Sequence, residues 1–186
     1  MAVTGWKAPQ TVANVDRDGN PYWDTVDNVK TDDSNYSACT PDKADYSDWL
    51  RTTNFGFSTL DIPEGSTIDG IEYAFKRAAS TTDIIQDSAI YLRKSTGQVG
   101  DNKASAARWI VLPGVEFVSY GGAADDWNAG LTDSDIRAST FGVDLSALNT
   151  DGGGYHIPYV YYCCVRIHYT APAGENHRRG SFFKMF

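Results

Sequence analysis

Hydrophobic and polar residues alternate over much of this chain, and a period of two predicts β-strands. The longest example is 159–169, where the odd positions are Tyr, Tyr, Cys, Val, Ile and Tyr, and the even positions include Arg166 and His168. This stretch is longer than the usual strand of about 5–6 residues. We therefore predict a strand that runs through the middle of a sheet.

Shorter segments repeat the pattern. Residues 71–76 alternate Ile, Tyr and Phe with polar or small residues, and 88–94 place Ile90 and Leu92 on one face and Tyr91 and Arg93 on the other. In 54–60, Phe55 and Phe57 share a face, so a strand is expected there too. Further strands are predicted at 109–112 and 115–120, as a hairpin around Pro113-Gly114, and at 141–145.

One short helix is predicted at 132–138, because Thr132 is a good N-cap and Asp133 and Asp135 suit a helix N-terminus. No amphipathic helix of about 10–15 residues separates successive strands, which disfavours a parallel α/β fold. No internal repeat indicates a propeller or solenoid. The pattern predicts an all-β, antiparallel, jelly-roll-like β-sandwich with one short helix and extended N- and C-terminal arms.

The N-terminal arm, residues 1–50, is rich in Asp, Asn, Ser, Thr and Pro, which favour turns. It also carries aromatic residues, including Trp23 and Tyr36, which a disordered segment would lack. We expect a turn-rich wrap that is packed on a sandwich core of residues 51–171. Trp23 and Tyr36 are candidate interface residues.

The C-terminal tail, residues 172–186, differs in charge from the rest. Its three basic residues and one acidic residue give it a charge of +2, which leaves −10 on the remainder of a chain whose net charge is −8. Arg178, Arg179, Phe182 and Phe183 are interface candidates, because arginine and aromatic residues are common anchors. The tail is interpreted either as a frayed terminus or as an arm that docks on a neighbouring acidic subunit.

Charge and hydropathy exclude some partners. With 16 Lys+Arg against 24 Asp+Glu, the chain lacks the basic footprint of nucleic-acid binding. No apolar run approaches the ~20 residues needed to cross a bilayer. Residues 1–6 do not resemble a signal peptide. We expect neither a nucleic-acid nor a membrane partner.

The chain has three cysteines, Cys39, Cys163 and Cys164. The two adjacent cysteines are poorly placed to bond each other, and zinc-site spacing is absent. A bridge from Cys39 to Cys163 or Cys164 is possible, but three reduced thiols, two of them on a strand, are the preferred interpretation.

Catalytic and cofactor motifs are not found. Gly-x-Ser-x-Gly is absent, and the glycines at 152–154 are not followed by the residues of a phosphate loop. We predict no enzyme activity, no catalytic residue and no cofactor.

Two weaker candidates for ligand binding remain. Trp109 and Trp127 could stack on sugars, although core packing is the simpler reading. Calcium could bind the side-chain oxygens of four residues in the segment 16–24, namely Asp16, Asp18, Asn20 and Asp24. Asx turns, however, explain the presence of these residues more simply.

The order and spacing of many of these residues resemble a group of tailed-bacteriophage virion proteins of β-sandwich type, which decorate or cement the capsid. The resemblance extends from about Trp23 to Tyr169. It is carried by Trp23, Asn28, Asp32-Asp33, Tyr36-Ser37-Ala38, Trp49-Leu50, Asn54 to Phe57, Ile62 to Glu72, Ile90 to Leu92, Trp127, Leu131-Thr132, Asp135-Ile136, Phe141 to Val143 and Val165 to Tyr169.

This resemblance implies a structural virion protein on the capsid exterior that cements neighbouring capsomers and is assembled in the host cytoplasm. Its expected partners are the major capsid protein and copies of itself, in a homo-oligomer such as a trimer. The alternative is a tail-associated or carbohydrate- or receptor-binding β-sandwich module.

Overall fold

The structure is a computed structural model that describes residues 1–42 and 44–174, which form two antiparallel sheets. The interface candidates Arg178, Arg179, Phe182 and Phe183 lie outside the described residues. Sheet A has the order β1-β10-β5-β8, with β3 also paired to β10. Its strands are β1 (Ala2–Val3), β3 (Ser37–Ala38), β5 (Thr67–Ala79), β8 (Glu116–Gly121) and β10 (Pro158–Thr170).

Sheet B has the order β2-β4-β9-β6-β7. Its strands are β2 (Thr11–Val15), β4 (Trp49–Thr53), β6 (Ile85–Lys94), β7 (Gly97–Val99) and β9 (Gly142–Asn149). Successive strands alternate between the two sheets except at the β6-β7 hairpin, so the connections repeatedly cross the sandwich. The predicted all-β, antiparallel, jelly-roll-like sandwich is confirmed.

Strand β10 occupies the interior of sheet A, as its long alternation predicts. It pairs with β5 along one edge, and along its other edge with β1, with Lys7 and with β3. Cys163, Val165 and Ile167 point into the core and are fully buried. The alternating residues of β10 thus separate a core face from an outer face.

The predicted helix is confirmed as α1 (Asp133–Arg137). The Thr132 hydroxyl accepts the Asp135 N–H, and the Asp135 carboxylate accepts the Thr132 N–H, which forms a capping box. A 3₁₀ helix, Val26–Lys30, was not predicted. Within the described residues, no helix is long and apolar enough to cross a membrane.

Two strand predictions are wrong. Residues 54–60 do not form a strand, because Asn54 and Gly56 have φ of 56° and 68°, which ends β4. Phe55 and Phe57 are nevertheless both buried, with ring centroids 6.0 and 6.4 Å from that of Phe141. The spacing of these two phenylalanines therefore reflects their burial in the core and does not indicate a β-strand.

Residues 109–112 and 115–120 do not form a hairpin. Val111 instead makes a parallel bridge with Ala79 at the end of β5, while β8 pairs with β5 from Glu72 to Arg77. Both segments therefore follow the same edge of β5, one after the other. The Pro113-Gly114 turn connects them without pairing them.

The N-terminal arm packs on the core and also supplies strands to both sheets. Trp23 is 2% exposed, and its indole N–H donates to the Asp48 carbonyl at 3.0 Å. Strand β4 spans the predicted boundary between residues 50 and 51, so this boundary does not separate an arm from a core. Trp23 is a core anchor of the arm, as expected for a wrap packed on the core, and as a candidate interface residue it is buried within the protein itself.

A buried ionic cluster joins the two sheets. Asp87 of β6 accepts hydrogen bonds from Arg77 of β5 and from the indole N–H of Trp109, at 2.8 and 2.9 Å. Its second oxygen accepts the Tyr120 hydroxyl of β8 and the Ser105 N–H. The Asp87 side chain is fully buried and that of Arg77 is 3% exposed. The Asp87 charge is compensated by Arg77, whose guanidinium also pairs with Glu116 at 2.7 Å.

We expect Asp87→Ala to lower the free energy of unfolding by about 3–5 kcal/mol, because it removes a fully buried carboxylate that pairs with Arg77 and accepts hydrogen bonds from Trp109 and Tyr120. The Arg77 guanidinium would keep only its pairing with the partly exposed Glu116. Chemical denaturation monitored by tryptophan fluorescence measures the loss. The control is Asp32→Ala, which removes an exposed ion pair with Lys76 and should cost about 1 kcal/mol or less. Equal losses in both variants would contradict a structural role for the buried cluster.

Candidate functional site

An open cleft of about 460 Å³ lies where the N-terminal arm meets β10. It forms at the pairing of β3 with β10, where Ala38 faces Tyr159 and Ser37 faces Val160. The lining side chains are mostly aromatic, aliphatic or uncharged polar: Pro21, Tyr22, Asp24, Tyr36, Ala38, Cys39, Thr40, Ile157 and Tyr159.

Tyrosine rings form much of the cleft wall. Tyr36, 42% exposed, packs edge-on against Tyr159 with centroids 4.9 Å apart, and against Tyr161 with centroids 5.5 Å apart. Tyr22 is 68% exposed. Burial raises the pKa of both Tyr159 and Tyr161, and the neighbouring Tyr36 raises each further. These two hydroxyls therefore stay protonated near neutral pH and can both donate and accept hydrogen bonds.

Asp24 holds the arm against β3 at the cleft. Its backbone N–H donates to the Ala38 carbonyl at 2.9 Å, and its backbone carbonyl accepts the Ser37 hydroxyl at 2.6 Å. Its carboxylate Oδ1 accepts the Ala38 N–H at 3.1 Å and the Thr25 hydroxyl at 3.2 Å. This arrangement fixes Tyr22 and Tyr36, on either side of Asp24 in the sequence, as parts of one wall.

The three cysteines are free and buried, which confirms the preferred interpretation of three reduced thiols. Cys39 lies in the cleft wall, and burial raises the pKa of its thiol well above the usual value. Burial likewise raises the pKa of Cys163 and of Cys164 to about 12. Neutral thiols behave as small apolar groups, so Cys39 adds no charge to the cleft.

The side chains of the four calcium candidates make local hydrogen bonds within the protein. Asp16 accepts the Gly19 N–H at 3.1 Å, the Asn20 amide donates to the Arg17 carbonyl, and Asp24 bonds β3 as described. Asp18 accepts the Tyr46 hydroxyl at 3.2 Å. In the part of the chain that the structure describes, no three or more His, Cys, Asp or Glu side chains are grouped to hold a metal ion.

Core packing, the simpler reading for Trp109 and Trp127, is confirmed, and the alternative that they stack on sugars is not supported. Trp127 is fully buried and donates its indole N–H to the Ile71 carbonyl, and Trp109 is 2% exposed beside Asp87. Tyr36, predicted as an interface residue, is exposed in the cleft. Tyr22 and Tyr159 line the cleft but were not predicted as site residues. The only sequence signal that could have indicated Tyr159 is the alternation of 159–169, which separates the core face of the strand from its outer face.

A hydroxyl, an imidazole and a carboxylate lie in a row beside the cleft. His156 Nδ1 is 3.0 Å from the Thr81 hydroxyl, and its Nε2 is 2.8 Å from an Asp151 carboxylate oxygen. Ile157, the next residue, lines the cleft. The row connects the β5-β6 turn to the loop before β10, and so fixes one end of the cleft.

Comparisons with known proteins give matches to solved structures alone: no family model and no curated protein matches this sequence. A structure of a CBM4 module has 13% identity and a TM-score of 0.41, over 88% of this chain and 95% of that chain. A putative sugar binding protein from Bacteroides thetaiotaomicron has 10% identity and a TM-score of 0.41, over 88% of this chain and 87% of that chain.

The CBM22-1 xylan-binding domain from Paenibacillus barcinonensis has 10% identity and a TM-score of 0.38, over 90% of this chain and 88% of that chain. At such identities and TM-scores, any function must be argued from this chain's own geometry. The resemblance to virion proteins stays a prediction.

The buried thiols generate a testable prediction. At neutral pH, the native protein should react slowly with a thiol reagent such as DTNB, because burial both shields the sulfurs and raises the pKa of each thiol. After denaturation all three should react quickly, which absorbance titration counts. Rapid labelling of Cys39 in the folded protein would show that the cleft wall opens, contrary to this structure.

Proposed function

We propose that this protein is a non-catalytic binding module that holds a saccharide in the tyrosine cleft. The observation that carries the proposal is a set of three tyrosines around one open concavity, of which Tyr22 and Tyr36 are exposed and Tyr159 is half-buried. Small-molecule sites are concave, mainly apolar or aromatic, and contain a few polar groups that fix orientation. This cleft has all three properties.

The chemistry of the lining suits a sugar. A pyranose ring presents apolar C–H faces and hydroxyl edges, and tyrosine offers an apolar ring with a polar tip. The Thr40 hydroxyl and the Asp24 carboxylate add a donor–acceptor and an acceptor. The cleft volume of about 460 Å³ lies within the usual range of about 300–1,000 Å³ for ligand sites.

The cleft is also pre-formed. Tyr36 is held by the rings of Tyr159 and Tyr161, and the Asp24 bonds to β3 fix the chain on both sides of it. A wall that is already ordered loses little conformational freedom when a ligand binds, so more of the contact energy appears as affinity.

We expect Tyr36→Ala to weaken saccharide binding by at least about tenfold, because a truncated aromatic anchor loses both its contact area and its support of Tyr159. A glycan array with the unmodified protein identifies the ligand, and isothermal titration calorimetry measures the affinity of each variant. The matched control is Tyr155→Ala, an exposed tyrosine, 65% accessible, outside the cleft lining.

Equal affinities for Tyr36→Ala and the unmodified protein would overturn the assignment of this cleft. Circular dichroism of each variant separates a binding defect from unfolding, since the fold does not depend on the exposed part of Tyr36.

A second candidate function is favoured by a different surface: a structural virion protein that binds the capsid exterior. Strand β8 lies at the edge of sheet A, and exposed apolar side chains follow this edge. They are Ile110, Leu112, Val115 and Phe117, which form the edge patch together with Trp6 from the segment beside β10. Trp6 packs edge-on against Phe117 with centroids 6.4 Å apart. Exposed apolar patches commonly mark protein–protein contacts.

In this second candidate, the edge patch would contact the major capsid protein or a further copy of this chain. We expect Phe117→Ser to reduce the number of copies in purified particles, measured by quantitative mass spectrometry. The control is Leu60→Ser, which changes a 96% exposed leucine away from the patch. Unchanged incorporation of the Phe117 variant, or absence of the protein from particles, would count against this candidate.

A further inference from the structure

We infer that the cleft selects saccharides by charge, and that it binds an amine-bearing sugar, with the ammonium group on Asp24, in preference to neutral sugars and to uronates. This inference rests on the proposed saccharide-binding function and names the class of ligand within it.

The first observation is the position of the Asp24 carboxylate. It lies in the cleft lining and is exposed. In the described part of the chain, the hydrogen bonds made to this carboxylate, from Ala38 and Thr25, both reach Oδ1. These bonds fix the carboxylate plane and leave Oδ2 for a ligand. A carboxylate oxygen accepts from a charged N–H donor more strongly than from a neutral hydroxyl.

The second observation is the composition of the rest of the lining. Asp24 is the one Asp, Glu, Lys, Arg or His residue among the lining residues of the described cleft. The Cys39 thiol and the Tyr159 hydroxyl are held neutral, because burial raises the pKa of each. The charge of the cleft lining is therefore negative.

The third observation concerns the described lysines of the neighbouring segments. Lys30 is paired with Asp27 at 2.6 Å, and Lys76 is paired with Asp32. Neither lines the cleft, and each is matched by a carboxylate of the N-terminal arm. An incoming uronate would meet the Asp24 carboxylate with no lining cation to compensate the repulsion, whereas an ammonium group would find an oriented acceptor.

The test uses four β-1,4-linked glucose-type oligosaccharides of equal length that differ in one substituent. They are the cello-oligosaccharide with hydroxyls, the chitosan oligosaccharide with free amines, the chitin oligosaccharide with N-acetyl groups, and the oxidised cellouronate with carboxylates. Calorimetric titrations near about pH 5 keep the sugar amines protonated, because the neighbouring hydroxyl and acetal oxygens lower the pKa of a sugar amine below that of a simple alkyl amine.

We expect the chitosan oligosaccharide to bind about three- to fivefold more tightly than the chitin and cello-oligosaccharides, as a single exposed charge pair allows. The cellouronate should bind most weakly. The preference should shrink as salt is added, because screening weakens exposed charge pairs. Asp24→Asn should bring the ratio of the chitosan to the cello-oligosaccharide affinity to about one, because the amide carries no charge, while its oxygen can still accept the Ala38 N–H. The control Asp27→Asn removes a nearby charge outside the cleft and should leave the preference unchanged.

The outcomes separate the two proposals. Binding of the neutral oligosaccharides that depends on Tyr36, with no gain for the amine or with tighter binding of the uronate, overturns the charge selection alone. A preference that survives Asp24→Asn also overturns it. Binding of none of the four oligosaccharides overturns the charge selection, and the absence of any Tyr36-dependent ligand on the glycan array overturns the saccharide function of the cleft as well.

Discussion

The rest of the sandwich depends on one buried carboxylate, because Asp87 binds groups from both sheets and from the segment that connects them. Arg77 and Tyr120 come from sheet A, Asp87 itself belongs to sheet B, and Trp109 and Ser105 come from the segment between β7 and β8. Hydrophobic packing alone allows one sheet to slide over the other, because it has no preferred direction. Hydrogen bonds from several groups to one carboxylate instead fix the distances and orientations of the strands that carry them. The cluster therefore sets the register of the sheets relative to each other.

The N-terminal arm determines the shape of the cleft, because it is anchored to the core of the sandwich and also forms part of the cleft wall. Trp23 inserts into the core and donates to the Asp48 carbonyl, while the neighbouring Asp24 bonds Ser37 and Ala38 at the surface. A buried residue and its exposed neighbour thus connect the core to the candidate site. The arm has few long regular elements, and its order comes from such anchors and from Asx-type hydrogen bonds.

Sequence reasoning predicted the elements with a strong local signal. The alternation of 159–169 predicted a central strand, and Thr132 with Asp135 predicted the helix cap. The strand prediction failed at residues 54–60, where the backbone geometry is incompatible with the alternating pattern. Asn54 and Gly56, next to the buried Phe55, have positive φ, so the alternation of hydrophobic residues there does not form a strand. Sequence reasoning also missed the cleft, because Tyr22, Tyr36 and Tyr159 are brought together by the β3-β10 pairing, across more than 100 residues of chain. No local pattern encodes that pairing.

The central place of β10 also constrains the order of events during synthesis. β10 is the last of the strands in residues 1–174, yet it separates β5 from β1 and β3, so sheet A cannot close until β10 has left the ribosome. Nascent chains that lack β10 expose the edge of β5 and the apolar face that β10 covers, a state prone to wrong pairing. Such non-local closure is slow. Ligand recognition at the β3-β10 junction would consequently have to wait until β10 has been synthesised and has paired with β3.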